Sequence, residues 1–189
     1  MIQPTPLKIR FYGDPCLRKK SEAVKNIGPG ERFLIESMIL TMIDAKGIGL
    51  AAPQVGINQR IFVADVGEGP IAIINPEIIK KSGSSKMEEG CLSIPAVNVI
   101  VKRPDKIHVK YKDENNKPHE RDFDGLLARV IQHETDHLDG KMIVDYASIF
   151  KKRKIKKILK LIEEEKWDEI RALEKSLKGG KDKGRKSES

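Results

Sequence analysis

Residues 132–140 read QHETDHLDG, and within them His133, Glu134 and His137 form HExxH. Side chains four apart on a helix share a face, so the two imidazoles can chelate one cation. Glu134, between them, can reach a water on that cation, and a bound divalent metal brings such a water toward a pKa of about 7. A catalytic site of this kind takes three protein ligands and leaves one position open. The motif therefore raises the question of the third ligand. The competing account is an amphipathic helix with two partly buried histidines and no metal.

Three third-ligand candidates can be weighed. The longer pattern HExxHxxGxxH is met at Gly140 and broken at Ile143, which excludes that protease class. Glu164 could serve as the downstream glutamate of a second class, but it sits among Glu163, Glu165 and neighbouring lysines. A solvated face of balanced charge explains it better. Cys91, in EEGCLSIP, is the third. A free cysteine is commonly a small buried hydrophobe. Yet Gly90 before it permits close backbone approach, and a thiolate suits Fe²⁺, Zn²⁺ or Ni²⁺ better than Mg²⁺ or Ca²⁺. On the residues alone, packed and ligating readings of Cys91 both stand.

The elements that must carry these residues follow from periodicity. Phe33, Leu34, Met38, Met42 and Ile43 have helical spacing over 31–45, with Gly47 as the stop. Strands are expected at Ile61–Val63, Ile71–Ile74, Asn98–Lys102 and Lys106–Lys112, with SGSSKMEE (82–89) as a polar turn and Asp113–His119 as a hairpin connection. Gly125–Leu138 returns to a helical period, with Asp124 as its cap and Gly140 past its end. That order predicts an α+β fold: mixed or antiparallel sheets around a central helix carrying HExxH, plus a C-terminal helix.

The charge is unevenly placed. Of a net +8, residues 151–189 hold 15 basic and 8 acidic groups, so the preceding 150 residues are nearly neutral. The division expected is a catalytic domain over 1–150, a basic amphipathic helix over 151–178 and a disordered tail over 179–189. No run of about 18 apolar residues suggests a membrane span. The start lacks a signal core, and two cysteines make no disulfide framework, which points to a reducing cytoplasm.

GIGLAAPQVG (47–56), EEGCLSIP (88–95) and QHETDHLDG (132–140), with FYGDPCLRKKSE (11–22) before them, resemble the motifs of the peptide deformylase family, in order and at similar spacing. The likeness spans roughly residues 5–148. It implies a hydrolase that removes the N-formyl group from formyl-methionyl ends of new polypeptides. It further implies Cys91, His133 and His137 around one divalent ion, Fe²⁺ by family habit, with Zn²⁺, Ni²⁺ and Co²⁺ as alternatives. Glu134 would move the proton, while the Gln54 amide and the Leu92 N–H would meet the oxyanion. Gly47, Ile48 and Gly49 would pair with the extended substrate, and Ile48, Met87, Leu126 and Val130 would wall the methionine side chain. Glu89 is expected as support, and Arg103 either as support or as one end of a surface salt bridge. The expected partners are formyl-methionyl nascent peptides and, through the basic helix over 151–178 that begins KKRKIKKILK, the ribosome. A non-catalytic RNA-binding protein would explain that basic run but not the three motifs. A zinc endopeptidase would leave Cys91 and Gln54 unused.

Overall fold

The computed structural model describes residues 3–173 of the chain. Helix α1 (Pro29–Asp44) precedes strands β1 (Gly49–Ala51), β2 (Ile61–Ala64), β3 (Ile71–Ser82), β4 (Ser85–Glu89), β5 (Val99–Arg103), β6 (Lys106–Lys112) and β7 (Pro118–Asp124). Helix α2 (Gly125–Leu138) carries HExxH, and α3 (Ile149–Glu163) follows. Five strands form one antiparallel sheet in the order β1-β2-β3-β6-β7, and β4 pairs with β5 as a separate ribbon. The architecture is α+β, as expected.

The large sheet lies between α1 and α2, and β2 shows why. Its four residues are all fully buried, with Ile61 and Val63 packed toward α1 and Phe62 and Ala64 toward α2. Strand side chains alternate between faces, so a strand covered on both must be apolar throughout. Ile131 and Leu138 of α2 meet Phe62 and Ile73 in the second layer. Each such side chain contributes about 1.5–3 kcal/mol on burial, and Phe62→Ala would cost about 3–5 kcal/mol.

A third core joins the early and late parts of the described chain. Leu17, Ile94 and Val101 pack with Met142, Ile155, Ile162 and Ile170. Packing therefore continues across residue 150, and α3 shares its apolar stripe with the residues before it.

Several local expectations change. The polar stretch 82–89 is mostly strand, because β4 needs only β5 beside it and keeps Lys86, Met87 and Glu88 exposed. Neither β1 nor β7 has a strong alternating apolar pattern, and both are edge strands. Gly47 does not turn the end of α1. Lys46 takes the left-handed conformation (φ 55°), and the Gly47 N–H closes back onto Met42 O at 2.9 Å. Asp124 occupies the N-cap of α2 without a side-chain cap hydrogen bond. The single helix expected over 151–178 is interrupted: Glu165 is left-handed (φ 53°), Lys166 N–H bonds Leu161 O at 2.9 Å, and residues 167–173 form a new helical stretch. Residues 174–189, including the expected tail, lie outside the described residues.

Candidate metal centre and active-site cleft

Helix α2 packs its apolar face onto the sheet and turns His133 and His137 toward Cys91, which follows the end of β4. The Cys91 Sγ and one nitrogen from each histidine all lie within 4.8 Å of one another. Cys91 Sγ is 3.2 Å from His137 Nε2. A soft thiol and two imidazoles at this separation fit a divalent transition metal or zinc. This is the one Cys/His/Asp/Glu group of that kind among the described residues.

Gln54 stands beside it on a short 3-10 turn, Ala52–Val55, and is almost wholly buried. Its Oε1 accepts the Ala51 N–H at 2.8 Å. Because that backbone group is only a donor, the amide orientation is set and Nε2 must face forward. Nε2 lies 3.2 Å from Ser93 Oγ and 3.6 Å from Cys91 Sγ.

Glu89 supports His133 from behind. Its Oε2 is 3.0 Å from His133 Nδ1, and its carboxylate accepts two bonds from Arg103 (2.8 and 3.0 Å) and one from Arg129 (2.6 Å). Burial alone would raise this carboxyl, but the His133 and Arg103 hydrogen bonds and the Arg103 charge hold it down at about 2. Arg103 is itself buried, so it belongs to this support and not to the surface.

Glu134 is 3% exposed, and its Oε2 has no hydrogen-bond partner among the described residues. Burial pushes its pKa up to about 7, against the pull of His133 and Arg103. Burial likewise lowers His137 well below the ordinary imidazole value, leaving a neutral ring with a lone pair to offer.

The cluster lies at one wall of a cleft of about 550 Å³ lined by Gly47, Ile48, Gly49, Gln54, Met87, Cys91, Leu92, Leu126, Val130, His133 and Glu134. A larger depression of about 990 Å³ over β3, β6 and β7 shares only Leu126 with these residues and holds no comparable donor set. Gly47 lies close to Leu92: a Cβ there would meet Leu92 Cδ1 at 2.8 Å and push that side chain aside.

Residues 6–153 match the profile of the family described as polypeptide deformylase. The peptide deformylase of Thermotoga maritima is 46% identical over 153 residues, covering 80% of this chain and 93% of that protein. A solved peptide deformylase from Legionella pneumophila superposes with a TM-score of 0.81 at 38% identity, covering 89% of this chain and 98% of that one. Another, from Synechococcus elongatus in complex with actinonin, is 43% identical with a TM-score of 0.78, over 83% of this chain and 87% of that one.

This chain belongs to the polypeptide deformylase family.

It is accordingly a metal-dependent hydrolase that deformylates polypeptides. Every site residue inferred from the sequence other than His137 and Arg103 borders the one cleft, and His137 is buried with its Nε2 3.2 Å from Sγ of the cleft residue Cys91. Reasoning from sequence missed two residues of this arrangement: Ser93, beside Gln54, and Arg129, on Glu89. Arg129 carried a signal, since it lies four residues before His133 and therefore on the same face of the expected helix. A charge in that place needs a buried partner. Ser93 carried none, because its place beside Gln54 depends on a contact made across the fold. No helix among the described residues is long and apolar enough to cross a membrane.

Proposed function

We propose that Cys91, His133 and His137 hold a single Fe²⁺, with Zn²⁺, Ni²⁺ or Co²⁺ able to replace it, and that Glu134, Gln54 and the Leu92 N–H act on the formyl amide of a nascent peptide. The observation that carries this is one thiol and two imidazoles within 4.8 Å, beside a buried carboxylate, in one cleft. A divalent ion held there supplies Lewis-acid chemistry that makes hydroxide available near neutral pH.

Glu134, raised to about 7, is suited to take a proton from the attacking water and return it to the leaving amine. Gln54 Nε2 and the Leu92 N–H are donors for the oxyanion that grows on the formyl carbon. Strand β1 has a sheet partner on one side only, so its edge at Gly49, with Gly47 and Ile48 leading into it, is open to an extended peptide. Ile48, Met87 and Leu126 are each more than 40% exposed at that edge, and with Val130 they provide an apolar wall for methionine.

Rates on a formyl-methionyl tripeptide and on an internally cleavable peptide, for wild type, Cys91→Ser and Glu134→Ala, test this reading. The expected result is deformylation by wild type alone and no internal cleavage. Full metal content and activity in Cys91→Ser would overturn the ligand assignment.

The enzyme meets nascent chains in the cytoplasm, where Cys91 stays reduced. The basic face of α3 supports contact with ribosomal RNA: Lys152, Arg153, Lys156, Lys157 and Lys160 are exposed, while Ile155, Leu161 and Ile162 are buried. Truncating α3 would open the core, so the test is charge reversal. Replacing Lys152, Lys156 and Lys157 by Glu should weaken co-sedimentation with ribosomes at matched salt, and undiminished binding would refute the contact.

A further inference from the structure

We propose that Tyr146 is a positioning residue for the metal ligand His133, acting through Asp136, Arg103 and Glu89. The inference rests on the ligand set proposed above. The Tyr146 hydroxyl donates to Asp136 Oδ2 at 2.8 Å, and Arg103 Nη1 donates to the same oxygen at 2.8 Å. The tyrosine ring also lies under the guanidinium, 5.2 Å from ring centre to Cζ. Arg103 is thus gripped from two directions by groups that Tyr146 holds.

The two oxygens of Glu89 differ in a way that makes this grip matter. Oε1 has two guanidinium donors, Arg103 Nε at 2.8 Å and Arg129 Nη1 at 2.6 Å. Oε2 has one, Arg103 Nη2 at 3.0 Å, and is also the atom 3.0 Å from His133 Nδ1. A guanidinium is a rigid plane, so its tilt sets where Oε2 sits. That tilt is held at Nη1, by the carboxylate that Tyr146 fixes. Arg129 can keep Glu89 in place but cannot set the oxygen that His133 uses.

The second ring nitrogen of a metal-bound histidine, through its partner, governs ring orientation and basicity. His137 Nδ1 has no hydrogen-bond partner among the described residues. His133 is therefore the imidazole through which this support is transmitted. The line runs from the exposed end of a 3-10 turn, Ile143–Tyr146, to a buried ligand. Side-chain exposure falls from 16% at Asp136 to 5% at Arg103 and 7% at Glu89, so the interior links are shielded from water and from screening.

The test uses the full chain loaded with Co²⁺, comparing wild type, Tyr146→Phe, Asp136→Asn and the double variant. Wild type should show a thiolate-to-cobalt absorption band. Tyr146→Phe keeps the ring and should keep its far-UV circular dichroism, yet lose cobalt to a chelator about ten- to a hundredfold faster. Its cobalt ligand-field bands should shift, and kcat should fall with KM unchanged. The double variant should lose metal no faster than the worse single variant, because both changes cut one line. Unchanged bands and chelation rate in Tyr146→Phe, or additive effects in the double variant, would overturn the proposal. A variant that melts earlier with the same bands would do so too, since Tyr146 would then serve the fold alone. Wild type without a thiolate band would sink the ligand assignment itself, and the relay with it.

Discussion

Gly49 lies so close to Glu134 that there is no room for a side chain between them: a Cβ on Gly49 would collide with the Glu134 carboxylate and would stand 2.8 Å from Val130 Cγ1. Strand β1 and helix α2 are thus pressed together at the proposed catalytic acid. Gly49→Ala should displace Glu134 by a fraction of an ångström or more. Overpacking of this kind costs about 1–3 kcal/mol, and a misplacement near 1 Å costs about 10²-fold in rate. Steady-state kinetics with a formyl-methionyl peptide should show a fall in kcat much steeper than the loss of thermal stability. Wild-type kcat would mean that Glu134 is placed by something other than this contact.

Gln54→Ala removes a fixed donor and little else from the cleft. A loss of about 10²–10³ in kcat is expected. Gln54→Glu is the sharper comparison, because it keeps the shape and the Ala51 bond but presents an acceptor toward the oxyanion. It should be no better than Ala, and near-normal turnover in it would remove Gln54 from the reaction.

Glu89→Ala would leave Arg129 buried without its carboxylate and Arg103 with Asp136 alone. Breaking a buried pair from one side costs about 3–5 kcal/mol, a drop in melting temperature on the order of 10 °C for a chain of this size. The same variant should bind metal more weakly at a temperature where it is still folded. Calorimetry and metal content, measured together, check both parts.

Cys16 offers a pH test away from the metal. Burial, with Asp14 beside it, pushes its thiol from 9.0 up to about 12. The folded value lies above the unfolded one, so this contribution to stability is fully present below about pH 9 and lost as pH rises toward 12. At pH 8 an alkylating reagent should leave Cys16 unmodified in the native enzyme and label it in urea. Equal labelling rates in both conditions, read by peptide mass spectrometry, would contradict the packed thiol.

Legibility differed by element in an instructive way. Helix α2 could be bounded at Gly125 and Leu138 because its apolar period and its flanking residues are local properties. Strand β6 could be bounded for the same reason. Strands β4 and β7 could not, since SKMEE and PHERDFD are polar, and they become strands only because β5 and β6 offer them a ladder of backbone partners. The break at Glu165 also depends on the fold: the chain turns there, and Trp167 packs on Phe11 with ring centres 4.5 Å apart.

From the sequence alone came the chemistry: two histidines one helical turn apart with a glutamate between them, a cysteine after a glycine, and motifs that resemble one family. Those features are short-range, and the covalent spacing of a helix turns them into geometry without help from the rest of the chain. Tertiary structure alone decided how the chemistry is held. The Gly49–Glu134 contact, the two arginines on Glu89 and the line out to Tyr146 join residues 10 to 85 positions apart. Such contacts exist only once the sheet, the ribbon and α2 have packed, because burial is what makes each charge seek its partner.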